Sequence, residues 1–463
     1  MEDDEVFFDE TIELIKKHLF KKKPQKIRKQ FEYENLKKEF DLITPTHPNS
    51  NDVVFKSIRK YLDNSVNTSE PGYLQSLWGG SHLPAILGEL LIASTNTSMY
   101  TFDTAPTATV IEKNIISKMI NLIGWEEGNG TFTSGGSNGN LLGLACARNN
   151  IFPEYAIKGN MGKEFQIYIS SESHYSIENA AKIIGIGTEN IIRISCDKFG
   201  KMMPKELEKE IQKTINNSKI PMCVVATGGT TIRGSFDPIN EIADICEKYN
   251  IWLHLDAAWG GAVLFSDKFK HLLKGIEKTD SVCWDPHKLM GIPLICSTFL
   301  VKKSNNLRTL SSCEKTPSYL FHGEESQLDL GKISLACGRR ADAIKLWLTW
   351  LSIGIEGWAK RVEYCIELAE YLEEIVIKHP NLELMSPREF TNVCFRWNPK
   401  NKEDIDEFNI NLRQKIVSNG NYMVSLAQLN GSQILRPVIA HPTVQKKTID
   451  NLIIEIENIT NTL

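Results

Sequence analysis

A chain of 463 residues, 41% hydrophobic and 24% charged, is long enough for one large core and at least one smaller domain. Its net charge of −4 leaves no basic footprint for nucleic acid, no run of about 18 apolar residues is present to span a bilayer, and the acidic start MEDDEVFFDE lacks the order of a signal peptide. Ten cysteines with no CxxC pair and no Cys/His cluster point to reduced thiols and no metal site, so a soluble cytoplasmic protein that binds neither nucleic acid nor membrane is expected.

In chain order, residues 1–75 read as helical pieces broken by the loop TPTHPNSN, an arm without a core of its own. The run KKHLFKKKPQKIRK, residues 16–29, is expected to be a solvated helix face interrupted at Pro24 rather than a phosphate- or lipid-binding patch. From Leu83 to Ile123 apolar residues recur at helical spacing on both sides of the polar stretch STNTSMYTFD. Short apolar runs then follow: FQIYIS (165–170), NIIRIS (190–195), PMCVVAT (221–227), IWLHLDA (251–257), SVCW (281–284) and ICSTFLVK (295–302). Helical segments such as PKELEKEIQKTI and INEIADICEKY separate several of them. Continuous rather than alternating apolar strands with helices between them predict a largely parallel sheet covered on both faces. From about 355 onward a long helix through WAKRVEYCIELAEYLEEIVIKH, strand-like NVCFRW and SQILRPVIA, and a terminal helix suggest a separate α+β domain. The expected division is an arm at 1–75, a large α/β domain at 76–350 and a small domain at 351–463.

Open α/β sheets bind ligands outside the carboxyl ends of their strands, and three polar elements fall there. GTFTSGGSNGN, from Gly130, has small residues opening a helix; it is either a glycine-turn cap or an anion cradle of free amides. In IWLHLDAAWGG, Asp256 ends an apolar strand and must meet a cation, a donor or a ligand to offset desolvation, or else caps its own loop. In SVCWDPHKLMGIP, Asp285, His287 and Lys288 crowd together, and Lys288 is either paired with a buried acid or kept reactive toward a carbonyl. An anion cradle, a buried strand-end acid and a strand-end lysine are together what pyridoxal 5'-phosphate needs for its phosphate, ring nitrogen and aldehyde.

Eight segments in order carry a more specific signal: STNTSMYTFDTAP, TSGGSNGN, SSESHYSIENAAKIIGIG, VATGGTTIRGSFDPI, HLDAAWGG, DPHKLMG, CGRRADAIKLWLTW and ILRPVIAHP. From about residue 70 to the C-terminus the chain resembles the pyridoxal-phosphate-dependent group II amino-acid decarboxylases, most closely the glutamate and cysteine-sulfinate branch. The resemblance implies fold type I, with a mostly parallel seven-stranded sheet in the large domain, and a homodimer with active sites at the interface and the N-terminal arm wrapped on the partner. It also implies that Lys288 forms the Schiff base, Asp256 pairs with the ring nitrogen, His174 stacks on one ring face and Ala258 packs on the other. Gly136, Ser137 and His287 would hold the phosphate, Thr231 would lie near the polar edge of the ring, and Arg436 would clamp the substrate carboxylate. Read without that context, His174 would be an ordinary loop histidine.

The chain departs from the family at three places. The loop HGEESQLDLGK, 322–332, is short and lacks the usual tyrosine that returns a proton to Cα, leaving His322, with Tyr319 just before it, as the proton carriers. Loss of the tyrosine would expose the carbanion to oxygen and give an aldehyde in place of an amine. Asp285 replaces the usual asparagine before Pro-His-Lys, and no phosphate contact is assigned to it, since like charges repel. EPGYLQSLWGG, 70–80, replaces HPRFFNQL, so Gln75, Ser76 and Trp78 face the substrate. The expected function is decarboxylation of an acidic or sulfinic L-amino acid, with aromatic and diamino substrates behind. A decarboxylation-dependent aldehyde synthase and a silent cofactor-binding scaffold are the alternatives.

Overall fold

The structure, a computed structural model, describes residues 2–20, 26–29, 32–40, 44–311, 320–321, 328–399 and 404–463. It opens on helices α1 (Glu2–Leu19), α2 (Tyr33–Phe40) and α3 (Asn51–Asn64), the last two of which bury no side chain. The basic run at 16–29 is not one helix face. Helix α1 stops at Leu19, and Ile27 is 1% exposed, packed with Tyr73 and Met423. Its amide donates to the Gly420 carbonyl at 2.6 Å and its carbonyl accepts from Asn67 at 2.7 Å. One apolar side chain among lysines and arginines thus ties the segment down; Pro24 lies outside the described residues.

After a short strand β1 (Tyr73–Leu74) come α4 (Leu83–Thr95) and α5 (Pro106–Ile123), separated by the polar loop as expected. Helix α5 starts on proline and stops at Gly124 with φ 89°, the usual asymmetry of helix ends.

The large sheet has strands β2 (Asn129–Thr133), β3 (Phe165–Ser170), β4 (Ile191–Ile194), β5 (Ile220–Thr227), β6 (Trp252–Asp256), β7 (Ser281–Trp284) and β8 (Ser297–Val301). Their order is β2-β8-β7-β6-β5-β3-β4. Pairs β3–β4, β3–β5, β5–β6 and β6–β7 are parallel, while β8 runs antiparallel to both its neighbours. The central strands are buried along their lengths because helices cover both faces: α6 (Gly136–Ile151), α7 (Tyr155–Lys158), α8 (Ser176–Ile183), α9 (Pro204–Asn216) and α10 (Ile239–Tyr249). This is the mostly parallel seven-stranded sheet of the expected fold class. Strand β2 carries too much Gly and Thr for an apolar run to mark it. Its direction sets the carboxyl ends of β2, β3, β5, β6 and β7 along one edge, with the start of α6 beside them.

Beyond β8 lie α11 (Asn305–Ser311) and α12 (Ala343–Lys378), broken at Gly354 with φ 64°. The long helix therefore begins ahead of the expected residue 355, and position 351 falls inside it. Strands β9 (Leu382–Leu384), β10 (Phe395–Trp397), β11 (Met423–Leu429) and β12 (Ser432–Arg436) join β1 in a second sheet, order β1-β11-β12-β10-β9, with α13 (Ile405–Asn419) and α14 (Lys446–Thr460). Arg361 of α12 fixes this sheet against the first, donating to the Leu289 carbonyl at 2.6 Å and the Ala440 carbonyl at 2.7 Å. No helix among the described residues is long and apolar enough to cross a membrane.

One buried ion pair fixes the segment ahead of α12. Arg339 grips Glu112 of α5 with two bonds of 2.7 and 2.8 Å, the side chains being 8% and 1% exposed. Removing one charge from such a pair strands the other, at a cost of about 3–5 kcal/mol. Glu112→Gln is therefore expected to lower the unfolding free energy by about that amount in a denaturant titration.

Candidate active site

The carboxyl edge of the large sheet opens into a cavity of about 250 Å³. Its lining includes Gly136 and Ser137 from the start of α6, His174 after β3, Thr227 and Thr231 at and beyond the end of β5, Asp256 and Ala258 at and beyond the end of β6, and Asp285, His287 and Lys288 after β7. Most of the site residues named from sequence thus meet in one place although they are up to 152 positions apart (136 to 288).

Asp256 ends β6 and is 7% exposed. Its Oδ2 accepts from Asn140 Nδ2 at 2.8 Å and its Oδ1 from the Ala258 amide at 3.1 Å. Behind it runs a buried chain of polar groups. Trp252 Nε1 donates to Ser281 Oγ at 2.9 Å, Ser281 Oγ lies 2.8 Å from His254 Nδ1, and His254 Nε2 lies 2.9 Å from Asn140 Oδ1. An indole only donates and a carboxylate only accepts, so the protons are assigned in one direction: Ser281 to His254, His254 to Asn140, Asn140 to Asp256. Burial pushes His254 down to about 4, against the pull of Asp256, and keeps it neutral. Helix α6 can lie this close only because Gly143 has no side chain; a Cβ there would come 2.6 Å from His254 Nδ1.

Asn140 also donates to Ser176 Oγ at 2.9 Å, and Ser176 Oγ is 2.8 Å from His174 Nδ1. The imidazole over the cavity and the carboxylate at its floor are therefore set by the same amide. Burial holds His174 below its ordinary value. The sequence reading missed Asn140, Ser176, His254 and Ser281. A signal existed for two of them: Asn140 lies one turn past Gly136, and His254 shares a strand face with Asp256.

Lys288 Nζ is 3.3 Å from Asp285 Oδ2, with the lysine side chain 21% exposed and the aspartate 1%. Burial alone would lower the amine, but the charges of Asp285 and Asp256 outweigh it and hold Lys288 above its ordinary value. The ion pair to a buried acid and a reactive position over the cavity coexist. His287 Nδ1 lies 2.7 Å from the Cys296 carbonyl and its Nε2 3.6 Å from Asp285 Oδ2.

Two expected residues stand back from the lining. Arg436, 8% exposed, donates to Ser425 Oγ at 2.9 Å, to the Gln75 carbonyl at 3.2 Å and to the Thr231 carbonyl. Gln75 Oε1 accepts from Arg413 at 2.9 Å. Trp78 does line the cavity. His322 and Tyr319 lie outside the described residues.

The donor set fits pyridoxal phosphate. The first-turn amides of Gly136 and Ser137 have no intrahelical acceptor, Thr227 Oγ1 is buried without a partner among the described residues, and the glycine at 136 keeps the helix start open. Residues 34–398 match the pyridoxal-dependent decarboxylase conserved domain. The chain is 34% identical over 474 residues to the acidic amino acid decarboxylase GADL1 of Mus musculus, covering 98% of this chain and 86% of that protein. It is 35% identical over 452 residues to the cysteine sulfinic acid decarboxylase of Rattus norvegicus, covering 94% and 91%. The crystal structure of mouse CSAD superposes with a TM-score of 0.94 at 33% identity, covering 98% of both chains. The chain belongs to the pyridoxal-dependent decarboxylase family. It is a carboxy-lyase with pyridoxal phosphate as its cofactor.

Proposed function

We propose that this chain removes the α-carboxylate of an acidic L-amino acid, with aspartate, glutamate and cysteine sulfinate as the substrates of choice. What carries the reading is the cavity that gathers Lys288, Asp256, His174 and the start of α6; the names of the relatives support the substrate class. When bound, pyridoxal phosphate supplies an electron sink for the pair left when the Cα–carboxylate bond breaks.

The chain's own residues do the rest. Lys288 Nζ would hold the cofactor's aldehyde carbon, and its ammonium would first give a proton to solvent, which its two acidic neighbours oppose. Asp256, aligned by Asn140 and Ala258, would keep a proton on the ring nitrogen. His174 covers one ring face and excludes water, while Ala258 leaves room on the other. The amides of Gly136 and Ser137, with His287, take the phosphate, and Thr231 lies at the polar edge. Arg436 takes the substrate carboxylate: a guanidinium has five N–H donors, and its three bonds in the structure do not exhaust them. Gln75 and Trp78 face the side chain. His322 or Tyr319 returns the proton to Cα.

The test is to supply a panel of amino acids and measure carbon dioxide, amine, hydrogen peroxide and ammonia together. Stoichiometric amine from an acidic substrate is expected. Aldehyde with peroxide and ammonia would contradict decarboxylation to an amine, and no carbon dioxide from any acidic substrate would contradict the substrate class.

We further propose a cytoplasmic homodimer of units 1–75, 76–350 and 351–463. Leu83, Leu87, Leu90 and Leu91 share one face of α4 and are 45–48% exposed, a contiguous apolar stripe of the kind subunit contacts cover. Leu294, 45% exposed, lines the cavity, so a partner would complete the site. Sedimentation equilibrium is expected to give twice 52.4 kDa. A fully active monomer would remove the dimer from the account.

A further inference from the structure

Asp285 sits where a second anion is least tolerated. Its Oδ1 accepts from Ser297 Oγ at 2.5 Å, and Ser297 Oγ in turn accepts from Thr133 Oγ1 at 2.9 Å. Its Oδ2 lies 3.3 Å from Lys288 Nζ and 3.6 Å from His287 Nε2, and a Cβ on Gly136 would come within 2.7 Å of it. The carboxylate therefore faces the amides of α6 that would cradle the phosphate, with the His287 ring on its flank.

Loading the cofactor upsets this balance twice. The Lys288 ammonium would give one proton to solvent, its nitrogen would bond to the aldehyde carbon as the carbonyl oxygen leaves as water, and Asp285 would lose the full ammonium that balanced it. At the same time a phosphate of charge about −1.5 to −2 enters the cradle. Like charges brought together in a partly buried site weaken binding. His287 is the group placed to relieve this. His287 Nδ1 is 2.7 Å from the Cys296 carbonyl and 3.3 Å from the Cys296 amide; the shorter contact assigns the ring proton to Nδ1, which leaves Nε2 bare unless the ring becomes an imidazolium.

Before loading, burial keeps His287 below its ordinary value while Asp285 pulls the other way. The other groups facing this corner do not compensate. His174 lies across the cavity and is held low by burial. Asp256 is committed to the ring nitrogen. Burial holds the Cys283 and Cys296 thiols high and neutral. Lys345, behind Cys296, is paired with Glu89 and Asp342 at 2.7 and 2.9 Å.

We propose that Asp285 makes cofactor capture proton-coupled: His287 takes up a proton as the phosphate enters, and the imidazolium on the flank of Asp285 offsets the two like charges. Asp285 is then a positioning residue acting through His287. This rests on the phosphate and lysine roles given above and goes beyond them.

The sign follows from linkage. A His287 pKa low in the free chain and raised in the loaded one means affinity falls as pH rises between the two values, by up to about tenfold per pH unit. The experiment compares dissociation constants of pyridoxal phosphate and of pyridoxal, which lacks the phosphate, for the full-length wild type and Asp285→Asn between pH 6.5 and 8.5. Taking the ratio cancels the titration of Lys288, which both aldehydes engage. The wild-type preference for the phosphorylated form is expected to fall about tenfold more across this range than that of D285N, and D285N should bind pyridoxal phosphate about tenfold tighter at pH 8.5. Identical ratios at every pH would overturn the proposal.

If D285N does not fold, calorimetry of the wild type at pH 7.5 in buffers of different ionisation enthalpy reads the proton directly. Pyridoxal phosphate should take up close to one proton more than pyridoxal; equal uptake would overturn the proposal. Should neither aldehyde give a visible band that depends on Lys288, the underlying site assignment fails instead.

Discussion

Lys288→Ala is expected to reduce carbon dioxide release by at least about 10⁴-fold, because no other amine among the described residues of the cavity can replace the nucleophile. The visible absorbance of the loaded protein should disappear with it. Stability should fall too. The substitution leaves Asp285, 1% exposed, without its ammonium, and breaking a buried pair costs about 3–5 kcal/mol, with the low end applying where a cavity admits water. The two losses separate in a double variant: Lys288→Ala with Asp285→Asn should regain most of the stability and none of the activity. Denaturant titration and carbon dioxide assay of the two variants check both halves.

Asp256→Asn is expected to lower kcat by about 10²–10³-fold with little change in KM. An amide keeps the shape and, with its one oxygen turned to Asn140, loses only the bond from the Ala258 amide, so the fold and the position of His174 should survive. What is lost is the charge that keeps the ring nitrogen protonated, and that charge matters most when electrons move into the ring. A rise in KM with kcat unchanged would show instead that Asp256 serves binding alone.

The large sheet was legible because its parallel strands are buried on both faces and so read as unbroken apolar runs; FQIYIS is β3 residue for residue. Strand β2 was not, since its alternating threonines are buried by pairing with β8 rather than by apolar character. Ile27 shows the same limit from the other side: one apolar residue in a basic run gives no periodic signal, and only the contact with Tyr73 and Met423 reveals it. In the site, charged or chemically active residues at strand ends stood out against apolar surroundings, as Asp256 and Lys288 do. The supporting amide and hydroxyls, Asn140, Ser176 and Ser281, did not, because a polar residue on a helix or strand says nothing about its partner until the fold brings that partner near. The Lys288–Asp285 pair is the middle case. Its members are three positions apart in DPHK, and the sequence left open which of two roles the lysine has.

The measurement closest to the central claim is reduction of the loaded, full-length protein with borohydride, followed by digestion and mass mapping of the fixed pyridoxyl group. A single modified peptide containing DPHKLMG with the added mass on Lys288 is expected, and no fixed group in Lys288→Ala. A pyridoxyl group on any other lysine, with Lys288 unmodified, would contradict it.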